Sequence, residues 1–507
     1  MGHLKTLDFA VIALYALGVV SIGLWCSRRQ KSTEEYFVGG RGMSPFIAGI
    51  SIIATLVSTI SYLATPGEMI KNGPGWMWQM LHIPISFVVV GYFVIPHIMA
   101  QNVTSGYELL ERRLGPNIRQ AASIMFILAR LFWMGLVTYT CSFAVATITQ
   151  LPLPAVLVAV GILGTFYTVL GGIRAVMITD VVQFVVLMGG ALFTVGFISV
   201  KCGGILAWWP DWTSPQLADL NWPKIKIASL NPFDRVTVLS VVMYGCSFWI
   251  MTATADQVVI QRFLTTRDAA AARRSFAMSL LGDMCTGLAM FLTGMALAGF
   301  FLRFPEQLPT PGLALTEQAD ALFPHFIAAV LPAGLTGLVV SALFAAAMSS
   351  LDSGISSIST VLVTDFRRIF AGGDAPDSAL QLSRARIIGV VVGCVVVGMS
   401  FAVSLVPGTN LLEMTVRVSS LLAAPMFVVF ALAFFVKSST PAGAWTAIAV
   451  GVCMSLLLTY WQQIVALFTH SQNEVSIALI MPVSALCAFT AGVIVSRFTR
   501  PIVAEDR

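Results

Sequence analysis

The chain has 507 residues, of which 57% are hydrophobic and only 10% charged, with a mean hydropathy of +0.87 and a net charge of +5. A water-soluble protein of this length carries roughly a quarter charged residues. The composition therefore excludes a soluble enzyme or binding domain and describes a polytopic membrane protein lying in a lipid bilayer.

A helix needs about 20 apolar residues to cross the hydrocarbon. The apolar runs predict thirteen spans, near 7–26, 44–70, 76–99, 119–149, 152–170, 176–200, 236–261, 276–302, 326–364, 387–406, 411–436, 442–467 and 477–497. The first lacks both a preceding basic region and a following small-residue cleavage site, so it is expected to be retained rather than removed as a signal peptide.

The second span, SPFIAGISIIATLVSTISYLATPGEMIKNGPG (44–75), runs into Thr65-Pro66-Gly67-Glu68. Proline removes a backbone donor and glycine relaxes the helix, so the ladder is expected to open near 62–67. Open backbone at membrane depth is tolerated where it lines a cavity or binds something, and broken helices mark substrate and ion sites in transporters. The alternative is an ordinary proline kink at the end of the helix. Ser58, Thr59, Ser61 and Tyr62 put polar groups beside the expected opening.

The longest polar stretch, 203–235, holds Trp208, Trp209, Trp212 and Trp222 among prolines and reads as an extracellular cap at the interface. The linkers 262–275 and 366–386 are short and basic. Residues 344–366, FAAAMSSLDSGISSISTVLVTDF, are long enough to span yet carry Ser349, Ser350, Asp352, Ser353, Ser356 and Ser357. Hydroxyls and a carboxylate at that depth are costly unless they face a cavity, a partner or an ion. Serines also simply pack helices closely, but an acid in the same turn favours a small hard cation that needs oxygen ligands.

With the N-terminus outside, 20 of the 29 lysines and arginines fall on one side and 7 on the other, with Arg130 and Arg417 inside spans. This bias puts the C-terminus in the cytoplasm, as an odd number of spans requires. The net charge thus follows topology and gives no argument for nucleic acid. Nothing in the chain calls for an obligate protein partner. The eight cysteines have no CxxC spacing, and the five histidines are scattered, so neither a disulfide framework nor a metal centre is expected.

Residues 166–189, FYTVLGGIRAVMITDVVQFVVLMG, resemble the signature of the sodium/solute symporter family, a GG-x-x-AV-x-x-TD-x-x-Q run opening a membrane helix. Residues 54–73 resemble that family's broken first core helix. The segment 256–274, DQVVIQRFLTTRDAAAARR, resembles the D/N-Q-x-x-x-QR-x-L motif closing its sixth, and 345–365 resemble its eighth. The resemblance covers roughly residues 7 to 437. It implies an all-α LeuT-type core of two inverted five-helix repeats, about 44–200 and 236–437, with accessory helices 7–26, 442–467 and 477–497. It also implies sodium-coupled symport by alternating access.

The resemblance implies a sodium site of Ala54 and Val57 carbonyls with Ala346, Ser349 and Ser350. Asp180 resembles the family's acid on the sodium exit path, and with Asp352 and Ser353 it is the candidate second sodium site. The alternative is that Asp180 merely neutralises an arginine such as Arg174. A substrate cavity is expected between the first, second, third, sixth and tenth core helices, with Ser61, Tyr62, Gln79, His82, Trp133, Trp249 and Thr252 as candidates. Sugar-transporting members carry glutamine where Ser61 stands. YLATPGEMIKNG and SGYELLERRLG (105–115) are closer to the iodide, monocarboxylate and vitamin branch. An anion needs a positive partner, for which Arg130 and Arg417 are candidates, each alternatively a structural or gate residue.

The expected function is sodium-driven import of a small organic solute, a monocarboxylate or similar anion. Sugar, amino-acid and vitamin symport within the family are alternatives, as is a symporter-like sensor. The sensor is disfavoured because the chain ends about ten residues after its last span. No nucleophile–base pair or metal cluster in the spans suggests an enzyme, and no repeated filter suggests a channel. The short tails suit a plasma membrane, specifically a bacterial inner membrane.

Overall fold

In the computed structural model, residues 4–499 are described except 29–32, 102, 210–221, 223–225, 228, 230, 367–377, 406–410 and 469–473. Side chains of residues 33, 378–381 and 411–418 also lie outside the described set, as does Trp212. Among the described residues the regular structure is helical, apart from one isolated bridge between Lys226 and Thr237.

The main helices are α1 (Thr6–Ser27), α2 (Pro45–Leu56), α3 (Thr59–Asn72), α4 (Pro74–Met99), α5 (Pro116–Thr149), α6 (Leu153–Cys202), α7 (Val238–Ala255) and α8 (Gln257–Leu264). They continue with α9 (Ala269–Arg303), α10 (Ala319–Ala329), α11 (Leu335–Asp365), α12 (Ser378–Ser404), α13 (Leu411–Phe435), α14 (Pro441–Thr459) and α15 (Ile477–Phe498). Ten are long and apolar enough to cross a bilayer, and the α2–α3 pair adds an eleventh crossing bent by 65°. The 50-residue α6 divides at Gly172, and Ser419–Phe435 is a further apolar stretch. By length and composition the described residues thus give ten or eleven spans against the thirteen expected, with the kinked α6 and the shorter Ser419–Phe435 covering the other expected segments.

Three expectations need correction. The second span opens at Val57 (φ −81°, ψ 113°) and Ser58 (φ −107°, ψ 173°), not near 62–67. Ser58 restarts the helix as its N-cap, which a serine does well. Pro66 lies inside a continuous α3, so the missing donor costs one ladder bond without opening the helix. The 236–261 span is also broken, at Asp256 (φ −83°, ψ 116°), whose Oδ1 accepts the Val258 N–H (2.9 Å) and caps α8. Its backbone nearly repeats that of Val57. Finally, the ninth span starts at Leu335. Phe326–Ala329 belongs to the separate α10, because Pro332 and Gly334 (φ +90°) interrupt the run.

Burial sorts these helices by role. Over its apolar window α11 is 89% buried, whereas α1 is 17% buried and exposes Leu14, Leu17 and Trp25. An apolar helix that stays exposed is a lipid-facing one. The serine-rich α11 is therefore the centre of the molecule, packed against α5, α6 and α2.

Gly172, buried at φ +57° and ψ −171°, occupies backbone space that is nearly reserved for glycine. Gly172→Ala is expected to cost about 1–3 kcal/mol and to lower the thermal unfolding midpoint of the detergent-solubilised protein. Gly189→Ala, in the same helix with open space where its Cβ would go, is expected to leave the midpoint unchanged or raised. Equal midpoints for the two variants would contradict this account of α6.

Candidate functional site

The helix that ends at Leu56 sends its last regular bond from Val57 N–H to Ile53 O (2.9 Å). The next carbonyls turn to α11 instead. Ser349 Oγ donates to Ala54 O (2.8 Å) and lies 3.2 Å from Ala346 O, while Ser350 Oγ donates to Thr55 O (3.0 Å). Across the break Thr59 Oγ1 donates to Leu343 O (3.2 Å). Both sides of the opening are thus stitched to α11, and Ala54, Val57, Ala346, Ser349 and Ser350 are all buried. This donor set is oxygen alone and carries no full charge, which suits a small hard cation that must also leave.

One turn further along α11 lies a second polar cluster. Asp352 Oδ2 accepts from Tyr167 OH (2.8 Å), to which Gln183 Nε2 also donates (3.2 Å). Ser353 Oγ lies 2.8 Å from Thr55 Oγ1. Asp180 pairs with Arg262 (3.0 Å) rather than with Arg174. Arg262 is fully buried and also donates to Ser51 Oγ (2.6 Å), Val258 O (2.8 Å), Thr55 Oγ1 (2.8 Å) and Ser353 Oγ. Its guanidinium so joins α8 to α2, α6 and α11. Among the described residues Asp180 Oδ1 has no hydrogen-bond partner despite being buried.

Sequence reasoning assigned Arg262 to a loop and missed this role. The available signal was its setting in VVIQRFL, an apolar run directly after a helix break, together with two buried carboxylates in need of a cation.

The glutamines of the same segment hold other elements. Gln257 accepts from Gly106 N–H (2.8 Å) and donates to Thr104 O (3.1 Å), and Tyr107 OH donates to Ala255 O (2.9 Å). Gln261 donates to Phe37 O (2.6 Å) and accepts from Ser357 Oγ (2.8 Å). At the end of α11, Asp365 accepts from Arg119 Nε (3.0 Å) and from Ser105 and Ser123 (2.8 Å each).

A cavity of about 790 Å³, its open mouth included, lies between the two breaks, with Leu56 on one wall and Asp256 on another. Trp133, Thr252, Arg130 and Ser419 also line it, and α15 contributes Met481. Arg130 Nη2 is ion-paired with Asp256 Oδ2. The other cavity candidates are placed elsewhere. His82 stacks on Trp249 (5.9 Å between centroids) and lies 3.1 Å from Ser86 Oγ and 3.3 Å from Asp283 Oδ2. Tyr62 is buried against Phe323, while Ser61 on α3 and Gln79 on α4 are half-buried and do not line the cavity. The Arg417 side chain lies outside the described residues. Among those residues no group of three or more His, Cys, Asp or Glu forms a metal centre.

The sodium:solute symporter family model matches residues 36–451, which include both breaks, the serine pair and the Arg262 network. The chain belongs to the sodium:solute symporter family. Such proteins are membrane transporters rather than enzymes, and sodium is the coupling ion. The sodium/sialic acid symporter NanT of Aliivibrio fischeri is 27% identical over 462 residues, covering 90% of this chain and 87% of that protein. Mouse sodium-coupled monocarboxylate transporter 1 is 26% identical over 466 residues, covering 90% and 73%. The solved outward-open structure of a sodium-coupled sialic acid symporter superposes with a TM-score of 0.83 at 25% identity, covering 98% and 99% of the two chains. The fold is accordingly LeuT-type, as the sequence motifs imply.

Breaking a buried ion pair by removing one partner costs about 3–5 kcal/mol. Arg262→Met is therefore expected to lower the unfolding midpoint sharply by stranding the Asp180 carboxylate. Adding Asp180→Asn should recover part of the loss. A double variant no more stable than Arg262→Met would show that the pair is not the source of the effect.

Proposed function

We propose that this symporter couples inward sodium movement to uptake of a small organic anion, a monocarboxylate or related acid, by alternating access. The single observation that carries the sodium part is the meeting of the Ser349 and Ser350 hydroxyls with the Ala54 and Thr55 carbonyls at the α2–α3 break. Ala54, Val57, Ala346, Ser349 and Ser350 are assigned as ion ligands. Asp180, Asp352 and Ser353 are assigned as a second sodium locus on the exit path, a reading supported by the unpartnered Asp180 Oδ1. In the arrangement described, Arg262 holds Asp180, so an ion using that acid has to compete with a guanidinium.

Arg130 supports the anion reading. It faces the cavity beside Trp133 and Thr252, and its contact with Asp256 uses one of three guanidinium nitrogens. Relatives named for sialic acid and for monocarboxylates both handle carboxylates. The repeats are assigned to about 44–200 and 236–437, supported by the matching backbone of Val57 and Asp256. The helices at 7–26, 442–467 and 477–497 are then accessory. The excess of lysine and arginine on one set of loops supports an outside N-terminus and a cytoplasmic C-terminus, with a plasma membrane, specifically a bacterial inner membrane, as the assigned location.

Uptake into proteoliposomes under an inward sodium gradient tests both parts. With labelled lactate, pyruvate, acetate, pantothenate, proline, glucose and sialic acid, one carboxylate is expected to accumulate, and the Ser349→Ala/Ser350→Ala protein is expected to lose that accumulation. Sodium-indifferent uptake would sink the ion-site assignment.

For the accumulated solute, Arg130→Gln is expected to raise KM about tenfold or more, the scale of a lost charged hydrogen bond. Lysine should rescue poorly because it lacks the planar fork. Unchanged KM in Arg130→Gln would remove this arginine as the anion partner.

A further inference from the structure

The N-terminal helix α1 is the least buried of the crossing helices, and its inward face packs against both α6 and the ion-site helix α11. The first residues of a helix leave N–H groups without intrahelical partners. At the start of α11 the N-cap is Gly334, which has no side chain to serve them. Asp8 of α1 serves them instead. Its Oδ1 accepts from Gly334 N–H (2.7 Å) and Gly337 N–H (2.8 Å), while its Oδ2 accepts from Lys5 N–H (2.9 Å). Asp8 is buried, and a Cβ on Gly337 would come within 2.7 Å of both its Cα and its carbonyl oxygen. The two backbones therefore touch at this point.

Further along, Tyr15 OH points at Met348 Sδ (3.9 Å), the neighbour of Ser349. At Gly23 the absent side chain admits Tyr167, whose Cβ lies 2.9 Å from where a Cβ would stand. Tyr167 in turn bonds Asp352. Asp8 to Gly23 and Gly337 to Asp352 are the same number of residues apart, a helical length of about 22 Å. The two helices thus act as rails of equal length, joined directly at Asp8 and, at the far end, through Tyr167 of α6.

We propose that α1 is a brace that sets the axial position of α11, with Asp8 as the positioning residue. The consequence is for sodium affinity, and it rests on the reading of Ser349 and Ser350 as ligands. A slide of α11 by one residue is about 1.5 Å, enough to separate Ser349 from the Ala54 carbonyl. Asp8 touches neither ion nor solute; it acts through the register between α2 and α11.

The test uses the full-length protein in detergent and the unfolding midpoint titrated with sodium chloride, with choline chloride holding ionic strength constant. Sodium binding to the folded state raises the midpoint with concentration. Asp8→Ala is expected to raise the half-effect sodium concentration about tenfold, the low end for partners that orient metal ligands. Asp8→Asn, whose Oδ1 accepts the same two N–H groups, should stay within about twofold of the parent. Gly337→Ala leaves the α1 cap intact, pushes the rails apart and should shift the half-effect concentration in the same direction as Asp8→Ala. If Asp8→Ala does not fold, Asp8→Asn and Gly337→Ala decide. A merely structural role would lower the midpoints and leave the sodium half-effect concentration unchanged, which overturns the proposal. A sodium half-effect concentration left unchanged by Ser349→Ala/Ser350→Ala overturns the reading of these serines as ligands, and the brace with it.

Discussion

Peptide groups released from a helix at membrane depth have no water to bond, so whatever opens the backbone must bring partners with it. At Val57 and Ser58 those partners are the hydroxyls of α11: Ser349 and Ser350 take the Ala54 and Thr55 carbonyls, and Thr59 reaches back to Leu343. At Asp256 they are the residue's own carboxylate, which caps α8, and Tyr107, whose hydroxyl bonds the Ala255 carbonyl. The central place of a serine-rich helix, the docking of the 104–107 segment and the cavity between the breaks all follow from this single requirement.

The two openings share a backbone shape and differ in chemistry. The first is surrounded by neutral oxygen, which suits an ion held briefly. The second presents a charged pair, Arg130 with Asp256, to the cavity. Beneath the first, Arg262 binds residues from α2, α6, α8 and α11 at once. A buried ion pair adds little net stability over apolar packing. Its value here is geometric, because four helices cannot separate at this point without releasing a guanidinium inside the protein.

Much of this was legible in the sequence. Composition and apolar runs gave the all-helical membrane class, and the crowding of hydroxyls around Asp352 pointed to α11. The serine–carbonyl meeting required the motif resemblance, since periodicity says nothing about which helices touch. The errors have physical causes. Pro66 advertised a break that α3 absorbs, while the real openings lie at Val57-Ser58 and at Asp256, where no proline or glycine stands. N-capping side chains restart a helix as effectively as proline stops one. Arg262 was read as a loop cation because charge predicts exposure, and only tertiary structure reveals five hydrogen-bonding partners. The candidates Tyr62 and His82 are polar residues whose helical faces turn towards Phe323 and Trp249 instead of the cavity.

Met481 gives the cavity wall a different significance. It stands on α15, which is separate in sequence from both broken helices and supplies none of the bonds that stitch their backbones. A substitution there reshapes the space offered to a solute without disturbing the serine pair or the Arg262 network. Methionine is unbranched and adaptable, so the wall also tolerates neighbours that change first. On the proposed assignment selectivity and coupling are then mutationally separable: a change of cargo can begin in α15 and leave the serine pair and the Arg262 network as they stand.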